Sequence, residues 1–170
     1  MTILILTILL FVTANIFVVN FLPFPFSHIN ITLSWLLLLL TINPDKKNIW
    51  LAMIVYYFLE LFSSKPFGIG IAATIITLLI INWFQLNILT NRSEFMVFLS
   101  LLLGVTLYRT LFVIFLTVNN YFSHLQALSY KEIFADAAWE ISLSSVILFL
   151  IYFISSKFFK RLHPGYIKNR

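Results

Sequence analysis

Three charged residues lie deep inside long apolar runs of this sequence and are its strongest candidates for chemistry: Glu60, Arg109 and Glu140. A charge in hydrocarbon is costly, so such residues usually pair with one another. A guanidinium can hold carboxylates through bidentate hydrogen bonds. We therefore expect a cluster with Arg109 between the two acids, which either fixes helix packing or forms a groove for a partner. The alternative is that both acids reach the membrane interface and are hydrated.

A line of acids runs along the last apolar segment. Glu132, Asp136 and Glu140 are spaced by four residues, and Ser144 continues the line. The first two lie near the expected helix N-terminus, where the helix dipole favours negative charge. Glu140 lies too deep for that explanation. A cation site along this line is the alternative interpretation.

Residue types needed for other chemistry are scarce. The chain has no cysteine, which excludes disulfides, thiolate metal sites and a cysteine nucleophile. His28, His124 and His163 lie outside the apolar segments, and Asp136 is the only aspartate within one. Neither a Ser–His pair nor a pair of aspartates is therefore available inside a membrane. We expect no enzymatic activity, no metal site and no cofactor.

The composition indicates an integral membrane protein. Of 170 residues, 61% are hydrophobic and only 10% are charged. A soluble domain carries about 25% charged residues to keep its surface wet. The low value predicts an all-α, polytopic transmembrane helical bundle in which most of the surface faces lipid.

Six apolar segments divide the chain. They are 2–19, 29–42, 49–62, 68–89, 95–118 and 134–159. The second and third segments are short, because 14 residues of helix reach about 21 Å against a hydrocarbon core of about 30 Å. We predict six spans in a single domain over residues 1–156. The first span is expected to be retained, since it lacks the features of a cleavable signal.

Two interruptions indicate how helices begin and turn. Asn43-Pro44-Asp45 has the chemistry of a helix N-terminus, which predicts that the third helix begins before its apolar part. Ser63-Ser64-Lys65-Pro66 is so short that the third and fourth segments must be antiparallel neighbours.

The basic residues give an orientation. With both termini in the cytoplasm, eight of the 11 lysines and arginines fall on the inner side: Lys46, Lys47, Arg92, Lys157, Lys160, Arg161, Lys168 and Arg170. Lys65 and Lys131 fall on the outer side. This bias predicts an N-in, C-in topology. Residues 157–170 then form a basic cytoplasmic tail, in which Lys157, Lys160 and Arg161 would bind lipid headgroups rather than nucleic acid.

Small residues at the start of the fourth segment suggest close helix packing. Gly68 and Ala72 recur on adjacent turns, as do Gly70 and Ala73. Small side chains let helix backbones approach closely in membranes.

The stretch that joins the third and fourth segments resembles the rod shape-determining MreD family of small bacterial membrane proteins. It reads Leu59-Glu60-Leu61-Phe62-Ser63-Ser64-Lys65-Pro66-Phe67-Gly68-Ile69-Gly70. Family members have about this length, five or six spans, and a third span that ends in an acid before a short polar turn and Pro/Leu-x-Gly. The family typically has Gly-Leu-x-x-Asp, whereas this chain has Tyr57-Phe58-Leu59-Glu60.

The resemblance implies a non-enzymatic scaffold in the cytoplasmic membrane. Such proteins work with the bitopic protein MreC, the actin-like MreB filament and the peptidoglycan-synthesising machinery of cell elongation. Glu60, Pro66, Gly68 and Arg109 would then shape a groove for the helix of a partner.

The alternative function is a substrate-binding subunit of an energy-coupling vitamin transporter, which is similar in size and span count. Such subunits usually carry Ala-x-x-x-Ala in the first span, where this chain has only Ala14.

Overall fold

The described part of the chain is almost entirely helical and contains no strand. A computed structural model describes residues 2–42, 45, 47–63, 66–87, 94–123 and 130–162. These ranges hold six α-helices: α1 (Thr2–Phe21), α2 (Ile31–Ile42), α3 (Lys47–Leu61), α4 (Ile69–Asn87), α5 (Glu94–Ser123) and α6 (Tyr130–Leu162). A short 3-10 helix, Phe26–His28, joins α1 to α2, and we call it the bridge helix. Each predicted apolar segment corresponds to one α-helix.

Within the residues that the structure describes, three helices are long and apolar enough to cross a membrane. They are α4, α5 and α6, whose candidate spans are Ile69–Asn87, Met96–Phe122 and Ile133–Ile151. Helix α2 has only 12 residues, which corresponds to about 18 Å of helix. The short second segment of the sequence is therefore a short helix in the fold.

Helix α2 lies at the centre of the bundle. It contacts each of the other five α-helices. Four leucines of α2 are at most 1% exposed: Leu33, Leu36, Leu37 and Leu40. A helix that is hydrophobic on all sides is stable only when it is surrounded. The uncharged, leucine-rich sequence of α2 accounts for its central position.

The remaining helices surround α2 in the order α1, α3, α4, α5 and α6. Along the described residues, α1 and α6 make no contact with each other, and the bridge helix contacts both. Helix α5 packs tightly against α2 at Gly104, where a Cβ atom would lie 2.6 Å from a terminal carbon of Leu37. The glycine therefore permits the close approach of α5 to α2.

The starts of α3 and α2 are each capped by the side chain of a residue just before the helix. The Asp45 carboxylate accepts a hydrogen bond from the Lys47 backbone N–H at 3.1 Å, and α3 begins at Lys47, before its apolar part but later than a first helical position at Pro44 would place it. Asn43 and Pro44 lie outside the described residues. The Asn30 side chain accepts a hydrogen bond from the Leu33 N–H at 3.0 Å and caps α2.

The last helix runs into the predicted basic tail. Helix α6 continues to Leu162, so the backbone of Lys157, Lys160 and Arg161 belongs to its last turns. The remainder of the predicted tail, residues 163–170, lies outside the described residues.

Candidate functional site

A cavity of about 630 Å³ lies at the end of the bundle that contains the bridge helix. All six α-helices or the residues flanking them contribute to its lining, together with the bridge helix. Its polar lining residues include Asn15, Asn20, His28, Asn30, Tyr56, Glu60, Tyr108, Arg109, Asp136 and Glu140. The three charged residues that the sequence singled out are therefore brought to one cavity.

A buried ion pair joins α5 to α6 in this cavity. Arg109 Nη1 donates to Glu140 Oε2 at 2.8 Å, and the two side chains are only 12% and 9% exposed. The guanidinium carbon also lies 5.7 Å from the centre of the Phe112 ring, which adds a cation–π contact. Each charge compensates the other where water is largely excluded.

Asn30 connects this ion pair to the rest of the cavity. Its amide nitrogen lies 3.5 Å from Glu140 Oε1 and 3.2 Å from the Tyr56 hydroxyl. Its backbone N–H donates to the Ser144 hydroxyl at 3.3 Å. The residue that caps α2 thereby ties the central helix to α3 and α6.

Glu60 has a different partner from the one expected. Its Oε2 accepts a hydrogen bond from the Gly68 N–H at 2.6 Å, and its Oε1 accepts one from the Ile71 N–H at 2.9 Å. Among the described residues it makes no ion pair with Arg109. The free N–H groups at a helix N-terminus, with their partial positive charge, suit a carboxylate. Glu60 caps α4 from the end of α3.

The two glycines of this turn act differently. Gly68 precedes α4 and has a φ angle of +96°, and a Cβ atom there would meet no heavy atom within 4 Å. It was expected to pack helices together, but it serves the conformation of the turn instead. A Cβ atom on Gly70 would lie 2.8 Å from Glu60 Oε1, so the missing side chain makes room for the capping carboxylate.

The other predicted residues of this region occupy separate positions. Pro66 is partly exposed and lies in the turn before α4, outside the cavity lining. Ala73 is fully buried in the core, whereas Ala72 is partly exposed.

A second pair, which the sequence did not suggest, joins the bridge helix to α6. His28 Nε2 lies 3.7 Å from Asp136 Oδ1. Phe24 packs edge-on against the rings of His28 and Trp139, at centroid distances of 5.6 and 5.7 Å. The only sequence signal was the position of His28 close before the apolar run of α2.

The charged groups of the cavity hold helices together rather than surround one small ion. The described residues contain no group of three histidine, aspartate or glutamate side chains that could hold a metal ion. Comparison with known proteins gives no match to any family, curated protein or solved structure.

Proposed function

We propose that this protein is a non-enzymatic, multi-pass scaffold of the bacterial cytoplasmic membrane, similar to the MreD family. It would bind an MreC-like bitopic protein and other proteins of the peptidoglycan-synthesising machinery that elongates the cell. The observation that carries the proposal is the contact of Glu60 with the N-terminus of α4, since it lies within the stretch that resembles the family.

That contact gives the resembling stretch a physical meaning. An acid at the end of one helix caps the next helix across a turn that contains Pro66 and Gly68. Gly70 leaves room for the carboxylate. The acid, the turn and the glycines therefore form one hydrogen-bonded unit beside the cavity, which suits a fixed surface for a partner helix.

The non-enzymatic part of the proposal is supported by the way in which Glu60, Arg109 and Glu140 are engaged. Arg109 and Glu140 are bound to each other, and Glu60 is bound to two backbone N–H groups. Side chains held in this way position helices. A general acid or base would instead need a proton-accepting atom free to reach a substrate.

The proposed placement has six spans with both termini in the cytoplasm. The three long apolar helices support a membrane location, and the distribution of lysines and arginines supports the direction. The cavity would then lie toward the outer face. A reporter domain fused after Arg170 is expected to be active only in the cytoplasm, and activity outside the cytoplasm would contradict this topology.

Isolation of the protein in a mild detergent tests the partner. We expect an MreC-like bitopic protein to co-purify with the unaltered chain and with Leu61→Ala, which alters an exposed neighbour. We expect Glu60→Ala, folded to a comparable extent, to recover less of it. Depletion of the protein should make rod-shaped cells round. Recovery of no such partner, together with unchanged cell shape, would contradict the proposal.

The cavity favours one second candidate, the substrate-binding subunit of a vitamin transporter. Its volume of about 630 Å³ falls within the range of small-molecule sites, about 300–1,000 Å³. A vitamin retained through purification, and a vitamin requirement on depletion, would favour this candidate over the scaffold.

A further inference from the structure

The cavity carries negative formal charge although the chain as a whole is basic. Three carboxylates line it, those of Glu60, Asp136 and Glu140, against the single guanidinium of Arg109. With His28 neutral, the described lining therefore has a formal charge of −2, whereas the chain has +5. Low-dielectric walls strengthen the field of such a cavity. It therefore favours a cation over an anion.

The arrangement of the carboxylates selects a large cation rather than a metal ion. Glu60 is held at the N-terminus of α4, whereas Asp136 and Glu140 belong to α6. No three acidic or histidine side chains of the described residues converge on one point. A volume of about 630 Å³ also exceeds the needs of a single ion and fits an organic molecule.

Aromatic walls suit the same kind of ligand. Tyr56 and Tyr108 line the cavity with ring centres 6.0 Å apart, and the Phe112 ring already faces the guanidinium of Arg109. Aromatic faces attract ammonium groups through the ring quadrupole, and clusters of such rings recognise substituted ammonium ligands.

Asp136 is the carboxylate best placed to meet a ligand. Its side chain is 45% exposed, and its ionic contact with His28 is long at 3.7 Å. The α1 side of the cavity carries Asn15, whose Oδ1 is buried without a hydrogen-bond partner among the described residues. Because α1 and α6 do not touch, these two walls flank open space that a ligand could occupy.

We propose that this cavity binds an organic ammonium compound, with its positive group near Asp136 and the tyrosine rings. The positive group can belong to a free molecule or to the headgroup of a lipid. This site goes beyond the scaffold function and does not depend on it.

Thermal unfolding of the full chain in a neutral detergent tests the charge requirement. The probe is choline, and its control is the uncharged isostere in which a carbon replaces the nitrogen. We expect choline to raise the unfolding temperature in a saturable way, because a ligand that binds only the folded state stabilises it. Neither the isostere nor sodium chloride at equal ionic strength should raise the unfolding temperature in this way.

A matched pair of variants tests the site. Asp136→Asn is expected to weaken the apparent affinity for choline by about tenfold, which corresponds to about 1.4 kcal/mol. Asp45→Asn removes a similarly exposed acid at the start of α3 and should leave the affinity unchanged. If the uncharged isostere raises the unfolding temperature of the unaltered chain as much as choline does, the proposal is overturned. An unchanged affinity in folded Asp136→Asn would overturn it as well.

Reconstitution distinguishes the two sources of the ligand. If choline stabilises the protein in phosphatidylglycerol discs but not in discs that also contain phosphatidylcholine, the lipid headgroup occupies the cavity. Stabilisation in both kinds of disc indicates a free molecule. If choline does not stabilise the unaltered chain and a partner protein is still recovered, this inference is removed and the proposed function is left intact.

Discussion

Arg109 of α5 and Glu140 of α6 form a buried ion pair at 2.8 Å, 31 residues apart in the sequence. The contact lies in a cavity to which the helices of the bundle contribute. It is also linked through Asn30 to the central helix. The pair therefore fixes the relation of the last two helices to the centre of the fold.

We expect Glu140→Gln to destabilise the protein by about 3–5 kcal/mol, because it leaves the Arg109 guanidinium buried without its counter-charge. Replacing both residues, as Arg109→Leu with Glu140→Leu, should cost less than the sum of the single changes. Reversible unfolding in mixed micelles measures the unaltered chain, Glu140→Gln, each leucine variant alone and the double variant. Strictly additive effects would show that the two side chains do not interact.

Loss of the Glu60 cap should destabilise the turn between α3 and α4. Glu60→Ala removes the acceptor of two backbone N–H groups, and hydrogen bonds to charged groups contribute about 1.5–3 kcal/mol each. Glu60→Gln retains one acceptor oxygen and should cost less. Leu61→Ala, which shortens the exposed neighbouring side chain, is the control for the loss of side-chain atoms at the end of α3. Equal unfolding free energies for Glu60→Ala and Leu61→Ala would contradict the assignment of Glu60 as the cap of α4.

The two glycines at the start of α4 should respond differently to alanine. Gly70→Ala places a Cβ atom 2.8 Å from Glu60 Oε1 and must displace the cap, so most of its cost should vanish in a Glu60→Ala background. Gly68→Ala meets no atom but strains a backbone at φ +96°, at about 1–2 kcal/mol. That cost should remain in both backgrounds. Double-mutant cycles of unfolding free energy measure the difference.

Close packing of α5 on α2 predicts an overpacking effect at Gly104. Gly104→Ala places a Cβ atom 2.6 Å from a terminal carbon of Leu37, which is fully buried and has little room to move. Overpacking of this kind costs about 1–3 kcal/mol. In a Leu37→Ala background, which is itself less stable, Gly104→Ala should cost less because the smaller side chain leaves space. If Gly104→Ala is equally destabilising in the unaltered chain and in the Leu37→Ala background, the contact with Leu37 is not the cause of the loss.

Much of the helical architecture follows from the sequence alone. Each of the six apolar segments corresponds to one α-helix. Helix α3 begins before its apolar part because the nearby Asp45 side chain caps it. Helix boundaries depend on side chains a few residues away. The pattern of apolar runs and polar breaks is therefore enough to place them.

The partners of the buried charges did not follow in the same way. Sequence reasoning placed Glu60, Arg109 and Glu140 together, and all three line one cavity, but only Glu140 pairs with the arginine. Glu60 is engaged by N–H groups only eight and eleven residues away. The N-terminus of α4 could be predicted from the sequence as a helix start. The sequence did not show that it lies within hydrogen-bonding distance of the Glu60 carboxylate.

The sequence by itself determined an all-helical chain with apolar segments suited to lipid, because hydrophobicity and capping act over short stretches of chain. Only the tertiary structure decided that α2 occupies the centre, that the bridge helix connects the separated walls of α1 and α6, and that His28 and Asn30 reach α6. These contacts join residues more than a hundred positions apart, and they depend on which helix faces pack together.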